Sequence, residues 1–247
     1  MNAEATKPTD LIYLKEMTLL QSYAQVLEVS TDDKVRTVII LDQTIFYPQG
    51  GGQPYDTGTI KNATATFVVE EVRFVEGLVR HSGHFEGNAI IKGAAVTCLV
   101  DERRRLLNCK YHSAGHVIDM ALLELGLNWS PFKGHHFSNG AYVEYVGSLE
   151  GVDKEKLKTD IENLCKKYCA EDRTVKIVFM EHLEMKAMCH YVPETLPAGK
   201  PGRVVLFGDF GVPCGGTHVA HLGDIKGITI RKIKAEGDHV KIGYDVV

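Results

Sequence analysis

Two pairs of metal-ligand residues stand far apart in this chain. His112-Ser-Ala-Gly-His116 supplies two imidazoles, and Cys214-Gly-Gly-Thr-His218 supplies a thiol and a third imidazole. Nitrogen and sulfur donors in this combination are the set a Zn²⁺ ion prefers. The stretch from Asn108 to Leu123 repeats apolar residues at helical spacing, so the i,i+4 step stacks His112 and His116 on one helix face. Cys214 follows Gly211-Val212-Pro213 and precedes Gly215-Gly216, a run too rich in helix breakers for a helix interior. A loop therefore presents the thiol, and one zinc ion drawing helix and loop together accounts for all four residues. Taken singly, each histidine also reads as a satisfied core residue and Cys214 as a small buried hydrophobe.

The elements that must position these residues fall into two groups. Up to about Leu99 the chain reads as short strands, at Tyr23 to Val29, Val35 to Leu41 and Thr66 to Arg73, separated by turn signals at Thr31-Asp32-Asp33 and Val75-Glu76-Gly77. This predicts a small antiparallel β-barrel over residues 1–100. From Asp101 the pattern turns to α+β. It gives a helix to about Leu125, a strand pair around His136 to Val146, a charged amphipathic helix from Asp153 to about Glu171, and strands at Thr174 to Met180 and Val204 to Phe207. A hairpin from Ile225 to Val246 turns at Glu236-Gly237-Asp238. Residues 101–247 are expected to form the zinc-containing domain. Cys165 and Cys169, four apart in the charged helix, fit a buried face better than a second metal site.

The run Tyr47-Pro48-Gln49-Gly50-Gly51-Gly52-Gln53-Pro54 removes side chains from a stretch of backbone. Peptide N–H groups there can approach a nucleic acid's terminal adenosine or phosphates, and a plain connecting loop is the competing reading. It lacks the Gly-Lys-Ser/Thr ending of a P-loop.

At 247 residues and 44% hydrophobic content the chain holds a real core, and its net charge of −4 confines any nucleic-acid contact to local patches. Candidates are Arg103-Arg104-Arg105 with Lys110, the lysines at 154, 156, 158, 166 and 167, and Arg231-Lys232 with Lys234. Six irregularly spaced cysteines fit reduced thiols. No apolar stretch reaches membrane-span length and Met1 to Pro8 lacks the character of a secretory signal, so a cytoplasmic location is expected.

With Ile40 to Pro54 upstream, Asp101-Glu102-Arg103-Arg104 leading into His112 and His116, and Cys214/His218 downstream, the chain resembles the AlaX family of free-standing alanyl-tRNA editing proteins, relatives of the editing domain of alanyl-tRNA synthetase. The resemblance covers nearly the whole chain and is closest to medium-length members with the glycine-rich N-terminal module. It implies hydrolysis of tRNA(Ala) mischarged with serine, or with glycine. A small pocket cannot strongly reject an isostere that adds a hydroxyl, so a second sieve is the remedy. By the family pattern His112, His116, Cys214 and His218 ligate zinc, while the exposed backbone of the glycine run makes Gly50, Gly51, Gly52 and Gln53 candidates for tRNA contact. Gly215 and Gly216 are candidate oxyanion donors, Thr217 a candidate for reading a serine hydroxyl, His135 or His136 a candidate for acting on substrate or water, and Asp209 a candidate acceptor behind a ligand imidazole. Four protein ligands close a tetrahedral site, which leaves three roles open for zinc: activating water after one ligand such as His218 stands aside, orienting substrate, or holding the loop. The readings from other classes are a non-catalytic zinc-stabilised tRNA-binding module and a general zinc hydrolase.

Overall fold

The computed structural model describes residues 7–194 and 200–247, so most of the N-terminal run read for a signal lies outside the described residues. The chain divides into two compact units. One comprises residues 1–50 and 54–105, the other 51–53 and 106–247. The sequence boundary at residue 100 thus lies a few residues early, and three residues of the glycine run belong to the second unit.

The first unit is a closed antiparallel barrel. Its strands are β2 (Gln21–Thr31), β3 (Thr37–Leu41), β5 (Gly58–Lys61), β6 (Ala65–Val75), β7 (Leu78–Gly87) and β8 (Ala95–Val100), paired in the order β2-β3-β7-β6-β5-β8. A short parallel pair, β1 (Asp10–Leu11) with β4 (Gln43–Thr44), lies beside it. Inward-facing side chains build its core: Phe67, Val69 and Val72 of β6 and Val96, Cys98 and Val100 of β8. Glu76 and Gly77 join β6 to β7 with φ of 51° and 82°, the mirror-image turn that matches strand twist. Strands β5, β7 and β8 have little alternation of their own in the sequence and are specified by their neighbours.

Arg105 closes this unit. Its guanidinium is 1% exposed and lies 2.5 Å from Asp56, itself fully buried, and it also donates to the carbonyls of Met17 and Ile45. The Arg103-Arg104-Arg105 run is therefore no uniform surface patch: Arg105 is buried in this pair, and Arg104 donates to the Tyr55 carbonyl with its guanidinium over the Tyr55 ring.

The second unit opens with α1 (Glu102–Glu124), whose first residues belong to the first unit. Asp101 accepts the Arg104 N–H at 3.1 Å as the start signal, and Gly126, at φ 76°, ends the helix. A four-stranded antiparallel sheet has the order β14-β15-β10-β9, formed by β9 (Ser130–His135), β10 (Tyr142–Val146), β14 (Ile228–Glu236) and β15 (His239–Val246). The strand pair expected around His136 to Val146 is present, with its first strand starting earlier: β9 ends at His135, leaving Gly140 in the connecting turn. The helix α2 (Lys154–Ala170) is capped by Asp153 and buries Leu157, Ile161, Cys165 and Tyr168 at three-to-four spacing, which places Cys165 in packing. A second sheet, β11 (Val175–Met180), β12 (Gly202–Phe207) and β13 (Phe210–Pro213), with the short helix α3 (His182–Met188), completes the unit.

Candidate metal centre

Successive turns of α1 carry His112 and His116, and the loop after β13 carries Cys214 and His218. One donor atom from each lies within 4.8 Å of all the others. The Cys214 Sγ is 3.4 Å from the Nε2 of His112 and 3.4 Å from the Nε2 of His218. A tetrahedral zinc with ordinary bond lengths separates sulfur from nitrogen by about 3.6 Å, so the donors already stand at chelating distance.

Each imidazole is held from behind through its Nδ1. His112 donates to Gln53 Oε1 at 2.7 Å, His116 faces Asp119 Oδ2 at 2.9 Å, and His218 faces Ser113 Oγ at 3.3 Å. Gln53 Oε1 also accepts the Thr217 N–H at 3.0 Å, which fixes the orientation of the amide and hence the proton on His112 Nδ1. Outer hydrogen bonds of this kind present the other ring nitrogen as a lone pair. The Nε2 of His116 is buried and has no hydrogen-bond partner among the described residues, so it offers a donor atom to a cation. The set therefore fits a zinc ion.

The charge states agree with that fit. Burial, followed by the neighbouring imidazoles, holds His112 well below the usual histidine range, and burial, followed by His116, does the same for His218. Burial works against a charged His116, but Asp119 and the Cys214 sulfur outweigh it and hold the pKa up at about 10. Burial raises the Cys214 thiol, yet His116 and the Gly216 N–H reverse this and lower it overall. Binding of a divalent ion here would release a proton from His116.

His136 lies flat against His112, with ring centroids 4.4 Å apart at 21°, and its Nδ1 is 2.7 Å from the Tyr244 hydroxyl, which donates onward to the Tyr111 carbonyl. Burial, then the charge on His116, pushes its pKa down to about 3. Room for this ring comes from glycine: a Cβ at Gly115 would lie 2.6 Å from the His136 ring and one at Gly134 only 2.4 Å. Gly52, at φ 77°, accepts the His136 N–H at 2.8 Å, and any Cβ there would strike the Gly134 carbonyl.

The candidate ligands His112, His116 and Cys214 line one part of a cavity of about 400 Å³, within the range of small-ligand pockets. Gly51, Gly215, His136 and Asp119 line it too, and its remaining wall is largely apolar, including Leu122, Trp129, Phe132 and Tyr191.

The other residues singled out in the sequence are distributed as follows. Gln53 is buried behind His112, and Thr217 is buried beside it with its hydroxyl accepting from Gln53 and Cys109. The Gly216 N–H donates to the Cys214 sulfur at 3.3 Å, while Gly215 is exposed at the cavity. Gly50 is exposed and belongs to the first unit. His135 is not among the cavity-lining residues; it stacks between Phe137 and Tyr142, and burial, then Lys133 and Lys241, lowers its pKa. Asp209 is exposed at the β12–β13 turn. The carboxylate behind a ligand is Asp119, whose other oxygen accepts from the Tyr145 hydroxyl. Its i,i+3 spacing from His116 was the available signal for it.

Comparison with known proteins gives two family matches. Residues 4–104 match the class II (A) tRNA synthetases, and residues 203–241 match the second additional domain of threonyl- and alanyl-tRNA synthetases. Among individual proteins, the alanine–tRNA ligase of Methanosarcina acetivorans is 32% identical over 237 residues, covering 93% of this chain and 24% of that protein. The alanine–tRNA ligase of Halobacterium salinarum is 30% identical over 212 residues, covering 82% of this chain and 22% of that protein. The alanyl-tRNA editing protein AlaX-L of Pyrococcus horikoshii is 30% identical over 210 residues, covering 84% of this chain and 50% of that protein. The chain thus spans about a quarter of the length of these ligases and half that of AlaX-L.

Proposed function

For a chain that belongs to the AlaX family of alanyl-tRNA synthetase relatives, we propose that it hydrolyses the ester between a wrong amino acid and the terminal ribose of tRNA(Ala). The observation that carries this reading is the convergence of three histidines and one thiol within 4.8 Å of one another, with His112, His116 and Cys214 lining a pocket of small-ligand size. Seryl-tRNA(Ala), and glycyl-tRNA(Ala) beside it, are the substrates, since both amino acids fit wherever alanine does. The protein works in the cytosol, where charged tRNA is found.

His112, His116, Cys214 and His218 would hold Zn²⁺, and Gln53, Asp119 and Ser113 would keep their rings in the ligating orientation. The ion, when bound, supplies Lewis-acid polarisation of an oxygen at the pocket wall. The chain's own residues do the rest. The apolar walls at Leu122 and Trp129 lower the local polarity and strengthen the polar contacts inside. His136, neutral through burial and with Nδ1 engaged by Tyr244, turns an acceptor nitrogen to the pocket for a substrate N–H or a water proton. Gly215 offers its backbone N–H at the wall where charge develops on the ester oxygen.

The test is a deacylation assay on matched seryl-, glycyl- and alanyl-tRNA(Ala), with and without a chelator and after zinc is restored. Release of serine with turnover, sparing of alanine, and loss on chelation are expected. Retention of all three tRNAs without release would instead identify a binding module.

A further inference from the structure

We propose that the open face of the sheet β14-β15-β10-β9 is a platform for single-stranded RNA, carrying the 3′ strand of tRNA that leads into the cavity. The proposal rests on the reading of tRNA as substrate and assigns it a surface.

Strand register places the residues. His135 pairs with Tyr142, Tyr142 with Gly243 and Gly243 with Lys232; one row along, Lys133 pairs with Glu144, Glu144 with Lys241 and Lys241 with Lys234. Paired residues share a face, so these two rows lie together, opposite the buried Val143, Tyr145, Val240 and Ile242. On the open face Phe137, His135 and Tyr142 form a stack, with centroids 4.5 and 5.2 Å apart at 12° and 25°, and the Lys241 ammonium lies 4.0 Å above the Tyr142 ring.

Charge selects the occupant. Glu144 pairs with His239, and Glu236 lies 3.7 Å from Lys241, but Lys133, Lys232 and Lys234 are exposed and have no ion-pair partner among the described residues. Cations beside partly exposed aromatic rings match a strand that offers phosphates and unstacked bases in alternation. A duplex hides its base faces and gains nothing from the stack. Gly134 and Lys133, on the edge strand β9, also line the cavity, and a 400 Å³ pocket holds only the reacting end of the molecule. The preceding nucleotides need a path, and this face begins where the pocket opens.

Binding of uncharged, fluorescently labelled tRNA(Ala) to the full chain tests this apart from any hydrolysis. Lys232→Gln with Lys234→Gln should weaken binding and flatten the slope of log Kd against log salt by about 1.4, two single-strand phosphate contacts. Tyr142→Ala should weaken binding about five-fold or more with the slope unchanged. Both losses should vanish on tRNA trimmed of its single-stranded 3′ end, and Lys154→Gln with Lys158→Gln on α2 should match wild type. Wild-type binding by the sheet variants would overturn the proposal. So would losses that persist on trimmed tRNA, or equal weakening by the α2 pair. A chain that binds as expected but releases no amino acid would refute the editing function and leave the platform standing.

Discussion

The side-chain amide of Gln53 and the imidazole of His112 meet at 2.7 Å, and the same amide oxygen takes the backbone N–H of Thr217 at 3.0 Å. One residue of the glycine-rich run thus sets the tautomer of a helix histidine and the path of the loop that carries Cys214. Gln53→Ala should lower zinc affinity roughly 10- to 100-fold, as loss of an outer hydrogen bond to a ligand generally does. Competition titration with a zinc indicator reads this directly, and unchanged affinity would reduce Gln53 to packing.

Asp119 does the same for His116 and is itself held by the Tyr145 hydroxyl. Asp119→Asn should weaken zinc roughly 10- to 100-fold, with deacylation partly restored by excess zinc. Failure of added metal to restore any turnover would argue that Asp119 acts on substrate instead.

Cys214→Ala removes the only thiol of the set, whose sulfur is 3.4 Å from the Nε2 atoms of His112 and His218. Purified protein should lose stoichiometric zinc, and serine release should fall by roughly 10²-fold or more, a loss of about 2.7 kcal/mol in transition-state stabilisation. Full activity with unchanged metal content would remove the centre from the mechanism.

The buried Arg105–Asp56 pair makes the sharpest stability prediction. Arg105→Met leaves Asp56 in the interior without its guanidinium and should cost about 3–5 kcal/mol. Asp56→Leu added to it should recover part of that loss, because the stranded charge is then gone. Chemical denaturation of the single and double variants decides the matter.

His81 gives the barrel an acid sensitivity. Burial pushes its pKa down to about 4, against 6.5 for the exposed group, while its ring nitrogens stay engaged by Thr44 and the Ile39 carbonyl. Its folded value is depressed, so the unfolded chain takes up the proton first. Its contribution is complete above pH 6.5 and declines as pH falls to about 4, by up to about 3 kcal/mol. Denaturation midpoints should drop across that window for the wild type and much less for His81→Gln.

Much of this was legible in the chain because periodic patterns report local geometry. The i,i+4 histidines gave the helix face, the glycine-proline flanks of Cys214 gave the loop, and the capped run from Asp153 gave α2. The strands β5, β7 and β8 were not legible, since barrel closure, a long-range effect, fixes them. Residues 134 to 136 show a finer difficulty. The sequence offers His135 and His136 as equal neighbours, but strand β9 ends between them and the glycines at 115 and 134 clear space for His136 alone. Gln53 was noticed for its glycine neighbours rather than for its own side chain, and only the fold reveals that it buttresses a ligand.

The inclusion of Gly51, Gly52 and Gln53 in the second unit has a consequence for how this protein can be divided. A fragment cut before Leu106 would carry all four donor residues and lack the amide that orients His112. The segment holding the four donors therefore could not be released by gene fission unchanged, because its own compact unit includes three residues that lie far upstream in the chain.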